Sequence, residues 1–215
     1  MHNNWIYICF TVVILFVFSS TFNYSFSNEK FNVTDAYDAL EQNDYEKAIN
    51  IYSSLINNFD EYAPFFYGRG FAYYYLGEND NAEADFQKTI KLDSNYYDAY
   101  LGLAFVFMQK TQNAKSNTVL NNALKINPNS SDVFYSRGLL NYIEQNYNDA
   151  ITDFSTAINL NKGNINAIYG RAISYYQIND YENAKIDFDK FLYESNEDTV
   201  LSNECKRLLS VIHKK

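Results

Sequence analysis

The chain has 215 residues, 47% apolar and 18% aromatic with 21 Tyr and 17 Phe, so it can bury a core and is not a disordered segment. Only 7 Gly and 2 Pro disfavour a sandwich or barrel of many short strands, and the two cysteines, Cys9 and Cys205, exclude a disulfide framework or a cysteine-built metal site. The net charge of −9 is uneven: residues 199–215 hold Lys206, Arg207, Lys214 and Lys215 against Glu204, and the acidic remainder repels phosphate backbones, so no nucleic acid is expected as a partner.

Residues 1–27 read as a leader. Trp5 to Phe18 is a run of 14 uncharged, mostly apolar residues, short of the about 20 needed to span a bilayer as a helix and better matched to the apolar region of a secretory signal. Ser25-Phe26-Ser27 places small residues before a cut at Asn28, whereas the opening Met-His-Asn-Asn lacks the usual Lys or Arg. Export with cleavage (periplasmic, envelope or secreted) is the expectation. The alternatives are an uncleaved membrane anchor through residues 5–18 and a buried helix of the folded domain. In an oxidising compartment the lone Cys205 would be either buried or a stray thiol.

Residues 29–198 divide without insertion or deletion into five blocks of 34: 29–62, 63–96, 97–130, 131–164 and 165–198. Block position 8 is Ala36, Gly70, Ala104, Gly138 and Ala172; position 20 is Ala48, Ala82, Ser116, Ala150 and Ala184; position 24 is Tyr52, Phe86, Leu120, Phe154 and Phe188. Each block carries two stretches of helical periodicity around a short polar break. Two antiparallel helices approach closely only where one offers no side chain, and the large residue at position 24 fills the space beside that contact. Position 15, at the end of the first helix, holds Asn43, Gly77, Thr111, Gln145 and Asn179, of which the Asn and Gly residues suit a left-handed helix stop.

This pattern resembles the tetratricopeptide repeat, with its period of 34 and its small, Ala, Phe and Pro positions. The best matches are Tyr67-Gly68-Arg69-Gly70 with Asp85-Phe86, Tyr135-Ser136-Arg137-Gly138 with Asp153-Phe154, and Tyr169-Gly170-Arg171-Ala172 with Asp187-Phe188. The family's closing proline appears only as Pro128, its Trp at position 4 is absent, and block one has Asp35 where Leu is usual. The resemblance implies an all-α, right-handed α-solenoid of five antiparallel helix pairs. Residues 199–215 then form a capping helix, with an apolar stripe of Val200, Leu201, Cys205, Leu208, Leu209 and Ile212. Phe191, at position 27 where most repeats carry Ala, points to a cap docked differently from a repeat.

No catalytic constellation emerges. His2 lies in the leader and His213 in the tail, and no nucleophile elbow, phosphate loop or zinc motif is present, so no enzyme, catalytic residue, metal or cofactor is expected. Arg at position 7 and Asp at position 23 occur together in blocks two, four and five and are both missing from block three, which has Leu103 and Val119. Such co-occurrence predicts the structural ion pairs Arg69–Asp85, Arg137–Asp153 and Arg171–Asp187; the alternative is an arginine array gripping an acidic ligand.

In the family, first-helix positions 2, 5, 9, 12 and 13 line a concave face that binds peptides. The resemblance therefore implies a partner-binding groove of Tyr67, Phe71, Tyr74, Tyr75, Leu101, Phe105, Met108, Tyr135, Leu139, Tyr142, Tyr169, Ile173 and Tyr176. A plain core stripe is the other reading of the same spacing; as a groove, Tyr67, Tyr74, Tyr135 and Tyr142 should stay substantially exposed while Phe86 and Phe154 are buried. The family's clamp for chaperone C-terminal carboxylates needs Lys at position 5 and Asn at position 9, and neither occurs here, so no such clamp is expected. Three functions stay open: a protein–protein interaction scaffold, a carbohydrate or cell-wall binder, and a self-assembling structural module.

Overall fold

The computed structural model describes residues 33–195 and 200–212. The readings placed on the leader, Cys9, His2, Trp5–Phe18 and His213 lie outside these residues. Within them the chain is an all-α helical repeat with no strand, and no described helix is long and apolar enough to cross a membrane. Two compact units divide it, one ending at Gly102 and the other beginning at Leu103.

Unit 1 holds α1 (Val33–Glu41), α2 (Tyr45–Asn58), α3 (Ala63–Tyr75), α4 (Asn79–Leu92) and the start of α5 (Tyr97–Gln109). Unit 2 holds the rest of α5, then α6 (Asn113–Ile126), α7 (Ser131–Ile143), α8 (Tyr147–Leu160), α9 (Ile165–Gln177), α10 (Tyr181–Ser195) and α11 (Val200–Ile212). In unit 1, α1 packs on α2, α2 on α3, and α3 on α4. In unit 2 the α7–α8 and α9–α10 pairs each pack internally, α8 joins them by packing on α9, and α11 covers α10.

Every turn from first to second helix ends in the same way. Asn43, Gly77, Thr111, Gln145 and Asn179 all adopt positive φ, between 56° and 77°. At each, the N–H of the positive-φ residue bonds back to the carbonyl three residues earlier and the next N–H to the carbonyl five earlier, as in Thr111 to Met108 (3.0 Å) and Gln112 to Phe107 (2.8 Å). This double bond pattern satisfies carbonyls that the helix end would otherwise leave open. The backbone demands the left-handed conformation even where the side chain resists it, as the β-branched Thr111 does.

Within each pair the residue at position 24 is the plug, an aromatic ring in all but the third. A Cβ added at Gly138 would stand 2.7 Å from the Phe154 ring, and one at Gly70 would stand 3.2 Å from Phe86. The same ring also reaches the following repeat: a Cβ at Gly170 would meet Phe154 at 2.6 Å, one at Gly102 would meet Phe86 at 2.6 Å, and Gly68 stands likewise against Tyr52. Position 6 is therefore a second notch, which the sequence pattern did not single out. Where the plug is the smaller Leu120, position 6 of the next repeat is Ser136 instead of Gly. Tyr52 alone brings a hydroxyl into this place, buried and with no hydrogen-bond partner among the described residues.

Cap helix α11 closes unit 2 with the expected stripe at Cys205, Leu208 and Leu209, but its first turn buries Ser202 in place of Val200 and Leu201. Ser202, Cys205, Leu208 and Leu209 are buried, whereas Val200 is 85% exposed and Leu201 is also exposed. The small Ser202 and Cys205 let the cap settle close to the core, and Cys205 shares one buried cluster with Phe188 and Phe191. Burial raises the Cys205 thiol to about 12, so it is protonated and inert.

Two stability experiments test these features. Thr111→Gly should stabilise the chain by about 1 kcal/mol, because it removes the left-handed penalty of a branched side chain; a denaturant midpoint that falls would refute this. Gly170→Ala should destabilise by about 1–3 kcal/mol through overpacking against Phe154, although Gly→Ala within a helix normally stabilises by about 0.5–1 kcal/mol. Adding Phe154→Leu should recover part of that loss, so a double-mutant cycle is expected to be non-additive.

Candidate functional site

The three arginines of the second, fourth and fifth blocks each hold their own aspartate with two hydrogen bonds. Arg69 Nε donates to Asp85 Oδ2 at 2.7 Å and Nη2 to Oδ1 at 2.8 Å; Arg171 repeats this on Asp187 with the same distances. Arg137 donates to Asp153 at 2.9 and 2.6 Å, with Asn141 Nδ2 supplying a further bond to that carboxylate at 2.9 Å. Hydrogen bonding to the aspartates raises all three arginine pKa values further. Arg69 Nη1 also reaches Ser53, and Arg171 Nη1 reaches Ser155, each at 3.1 Å on the preceding repeat's second helix. The guanidinium edges are thus spent on internal groups, and those of Arg69 and Arg171 tie one repeat to the next. In block three Leu103 is buried and Val119 half-buried, so apolar side chains stand where the ion pair is missing.

The residues assigned to a groove do not all share one fate. Tyr67 and Phe71 are corrected to core residues, at 6% and 7% exposure. Tyr67 packs its ring 5.7 Å from Phe86 and 5.1 Å from Tyr96, and Phe71 lies 4.7 Å from Tyr75. The reason is the density of aromatics in unit 1, where Tyr96 at the end of block two covers the face that was expected to stay open. Tyr74 and Tyr75 stay half-buried, with Tyr75 stacked on Tyr45 at 5.1 Å. Leu101, Phe105 and Met108 are half-buried as well, as are Tyr135 and Tyr142, while Phe86 and Phe154 are fully buried.

Unit 2 does gather its share into one cleft of about 530 Å³. Tyr135, Leu139 and Tyr142 come from α7; Asn166, Tyr169, Ile173, Tyr176 and Gln177 come from α9; Leu201, Glu204, Arg207 and Leu208 come from α11. Phe154 and Gly170 lie at its floor, so the cleft is built directly over a plug and its notch. Tyr135 rests on Phe154 at 6.0 Å and Tyr169 on Phe191 at 5.2 Å, which fixes the two inner tyrosines. The two outer ones continue round the helix turn, Tyr142 to Tyr147 at 5.5 Å and Tyr176 to Tyr181 at 5.7 Å. Gln177 Nε2 donates to the Tyr142 hydroxyl at 3.1 Å and links the two rows.

Charge in the cleft cancels. Arg207 Nε and Nη2 bond the two oxygens of Glu204 at 2.7 and 2.6 Å. Burial raises the phenols of Tyr135 and Tyr169 to about 12, well above the ordinary value. Asn166 and Gln177 occupy positions 2 and 13, which the family resemblance assigns to the concave face, although neither was among the groove residues expected from it. The contribution of α11 was hidden, because Glu204 and Arg207 read only as the polar side of a cap. Tyr147 and Tyr181, which open the second helices, carried no groove signal.

Comparisons agree with the helical-repeat fold. Two family models described as tetratricopeptide repeat match the chain, one over residues 63–96 and the other over residues 33–62 and 166–195. No curated protein sequence matches it significantly. Among solved structures, MamA from Desulfovibrio magneticus RS-1 is similar at 19% identity and TM-score 0.64, covering 76% of this chain and 93% of that one. A thermophilic TPR protein of Thermus thermophilus is similar at 16% identity and TM-score 0.71, with 81% and 95% covered. YrrB, titled a TPR protein with an unusual peptide-binding site, is similar at 21% identity and TM-score 0.59, with 80% and 88% covered. At these identities the likeness is one of fold.

An alkaline titration probes the cleft tyrosines. Because the folded-state phenol pKa is raised above the unfolded value of about 10, the stability it represents is complete below pH 10 and is lost as pH rises through about 12. Ultraviolet absorbance of phenolate should therefore lag that of the denatured chain, and both Tyr135→Phe and Tyr169→Phe should diminish the lag. A titration that overlays the denatured curve would contradict the burial of these groups.

Proposed function

The chain is a tetratricopeptide repeat protein, and we propose that it is a non-enzymatic protein–protein interaction scaffold whose unit 2 cleft holds a segment of another protein. The observation that carries this reading is the cleft itself: four tyrosines from two successive first helices around a concave apolar floor, with one self-neutralised charge pair. Concavity, rigid aromatic walls and a few fixed polar groups are the features that let a site take up an extended or helical segment. The non-enzymatic part rests on the family and on the sequence, whose two histidines, His2 and His213, both fall outside the repeat blocks. The reading does not include the family's chaperone-tail carboxylate clamp, since positions 5 and 9 lack its Lys and Asn.

We also propose a site of action outside the cytoplasm, reached through cleavage of residues 1–27 or through a tether at residues 5–18. The 14-residue uncharged run from Trp5 to Phe18 supports it.

Selection of a random dodecapeptide library on the full-length chain tests the binding role. Peptides that bind should lose about 1–2 kcal/mol per residue when Tyr142 and Tyr176 are changed to Ala, as for interface anchors. Binders indifferent to the double variant, in a chain whose melting shows it still folded, would remove the cleft as the binding site. For location, fractionation followed by N-terminal sequencing should recover a chain starting at Asn28 outside the cytoplasm, or an intact chain in the membrane fraction; an intact chain in the cytosol would end that part of the reading.

A further inference from the structure

We propose that the unit 2 cleft takes a proline-rich segment in the polyproline II conformation, an inference that rests on the cleft being the binding site assigned above. Three properties of the lining point the same way.

The first is spacing. Tyr135 and Tyr169 are the same repeat position on α7 and α9, as are Tyr142 and Tyr176, and these two helices are in direct contact. Each ring is therefore displaced from its counterpart by one helix-to-helix step, about 8–10 Å for packed helices. One turn of polyproline II advances about 9 Å over three residues. Every third residue of such a segment meets an equivalent tyrosine face, and the flat proline ring offers the shape to lie on it.

The second is hydrogen bonding. A polyproline II segment makes no internal hydrogen bonds, so all its carbonyls need donors, and its prolines have no N–H to give. The cleft supplies the complement: phenol hydroxyls of the four tyrosines and the carboxamides of Asn166 and Gln177. Tyr142 already receives a bond from Gln177, which leaves its own proton to donate. Tyr135 and Tyr169, raised to about 12, keep their protons at every ordinary pH. The lining's only carboxylate, Glu204, has both oxygens held by Arg207 and does not call for a donor from the ligand.

The third is charge. With Glu204 and Arg207 cancelling one another, the lining is neutral and selects neither a basic nor an acidic segment. A run of uncharged rings suits it, and a segment already stiff in its bound form loses little freedom on entering walls that are themselves held by Phe154 and Phe191.

Calorimetric titration of the full-length chain with acetylated decaproline amide tests the inference, beside two probes of other conformation: a Gly-Ser decapeptide and a 14-residue Ala/Leu/Lys amphipathic helix. Decaproline should bind at least tenfold more tightly than either. Tyr142→Ala with Tyr176→Ala should weaken it at least tenfold, and the fold-preserving pair Tyr142→Phe with Tyr176→Phe about threefold through loss of the hydroxyl donors. If the helical probe or library-selected peptides without proline bind in a way that depends on Tyr142 and Tyr176 while decaproline does not, the polyproline assignment is overturned and the scaffold reading stands. If no probe and no selected peptide depends on these tyrosines, both are overturned.

Discussion

An aromatic ring driven into two notches where no side chain stands is the contact on which the helices around the second and fourth repeats depend. Phe154 fills the space left at Gly138 in its own pair and at Gly170 in the next, and Phe86 does the same between Gly70 and Gly102. Removing such a ring would cost about 3–5 kcal/mol, a large part of what a small domain possesses. The glycines themselves weaken their helices, so their presence is intelligible only through the ring they admit. Repeat proteins are held by nearest-neighbour terms of this kind, and here the term has a named atom on each side.

The same contact prepares the cleft. Phe154 is at once the plug of the fourth repeat, the partner of Gly170 and the surface on which Tyr135 rests. The inner tyrosines are therefore set by the core, and the outer pair is set by Tyr147 and Tyr181 at the helix turns. An ion pair adds a polar tie between repeats, since Arg171 joins Asp187 in its own repeat to Ser155 in the one before. The cap contributes two apolar residues and a charge pair that adds polarity without net charge.

The helical repeat was legible because its causes are local and repeat five times: small residues at positions 8 and 20, a large apolar residue at 24, a helix stop at 15. Even so, only Asn and Gly announced that stop. Thr111 and Gln145 take the left-handed conformation because the pair geometry imposes it, which propensity alone does not reveal. The cleft was half legible. Tyr142 and Tyr176 lie where the repeat spacing put them, but Tyr67 and Phe71, which fall on the same groove-lining stripe, are buried. Their fate was decided by Tyr96 and Tyr75, neighbours whose packing no single-position pattern expresses. Cap residues Glu204 and Arg207 were illegible for a related reason, since a helix outside the repeat has no register to borrow.

The plug also has a direction. Each ring sits at position 24 of one repeat, while its second notch lies at position 6 of the following one, sixteen residues later for Phe154 and Gly170. A chain leaving the ribosome therefore displays every ring before its second socket has been made. Until the next first helix emerges, one greasy face waits at the growing end, and it is always a single face because the earlier ones have already closed. The ring of the fifth block, Phe188, is received by α11, with whose Cys205 it shares a buried cluster. Truncation just before α11 would leave that waiting face permanently open, in the same condition as a nascent chain stalled at the exit tunnel.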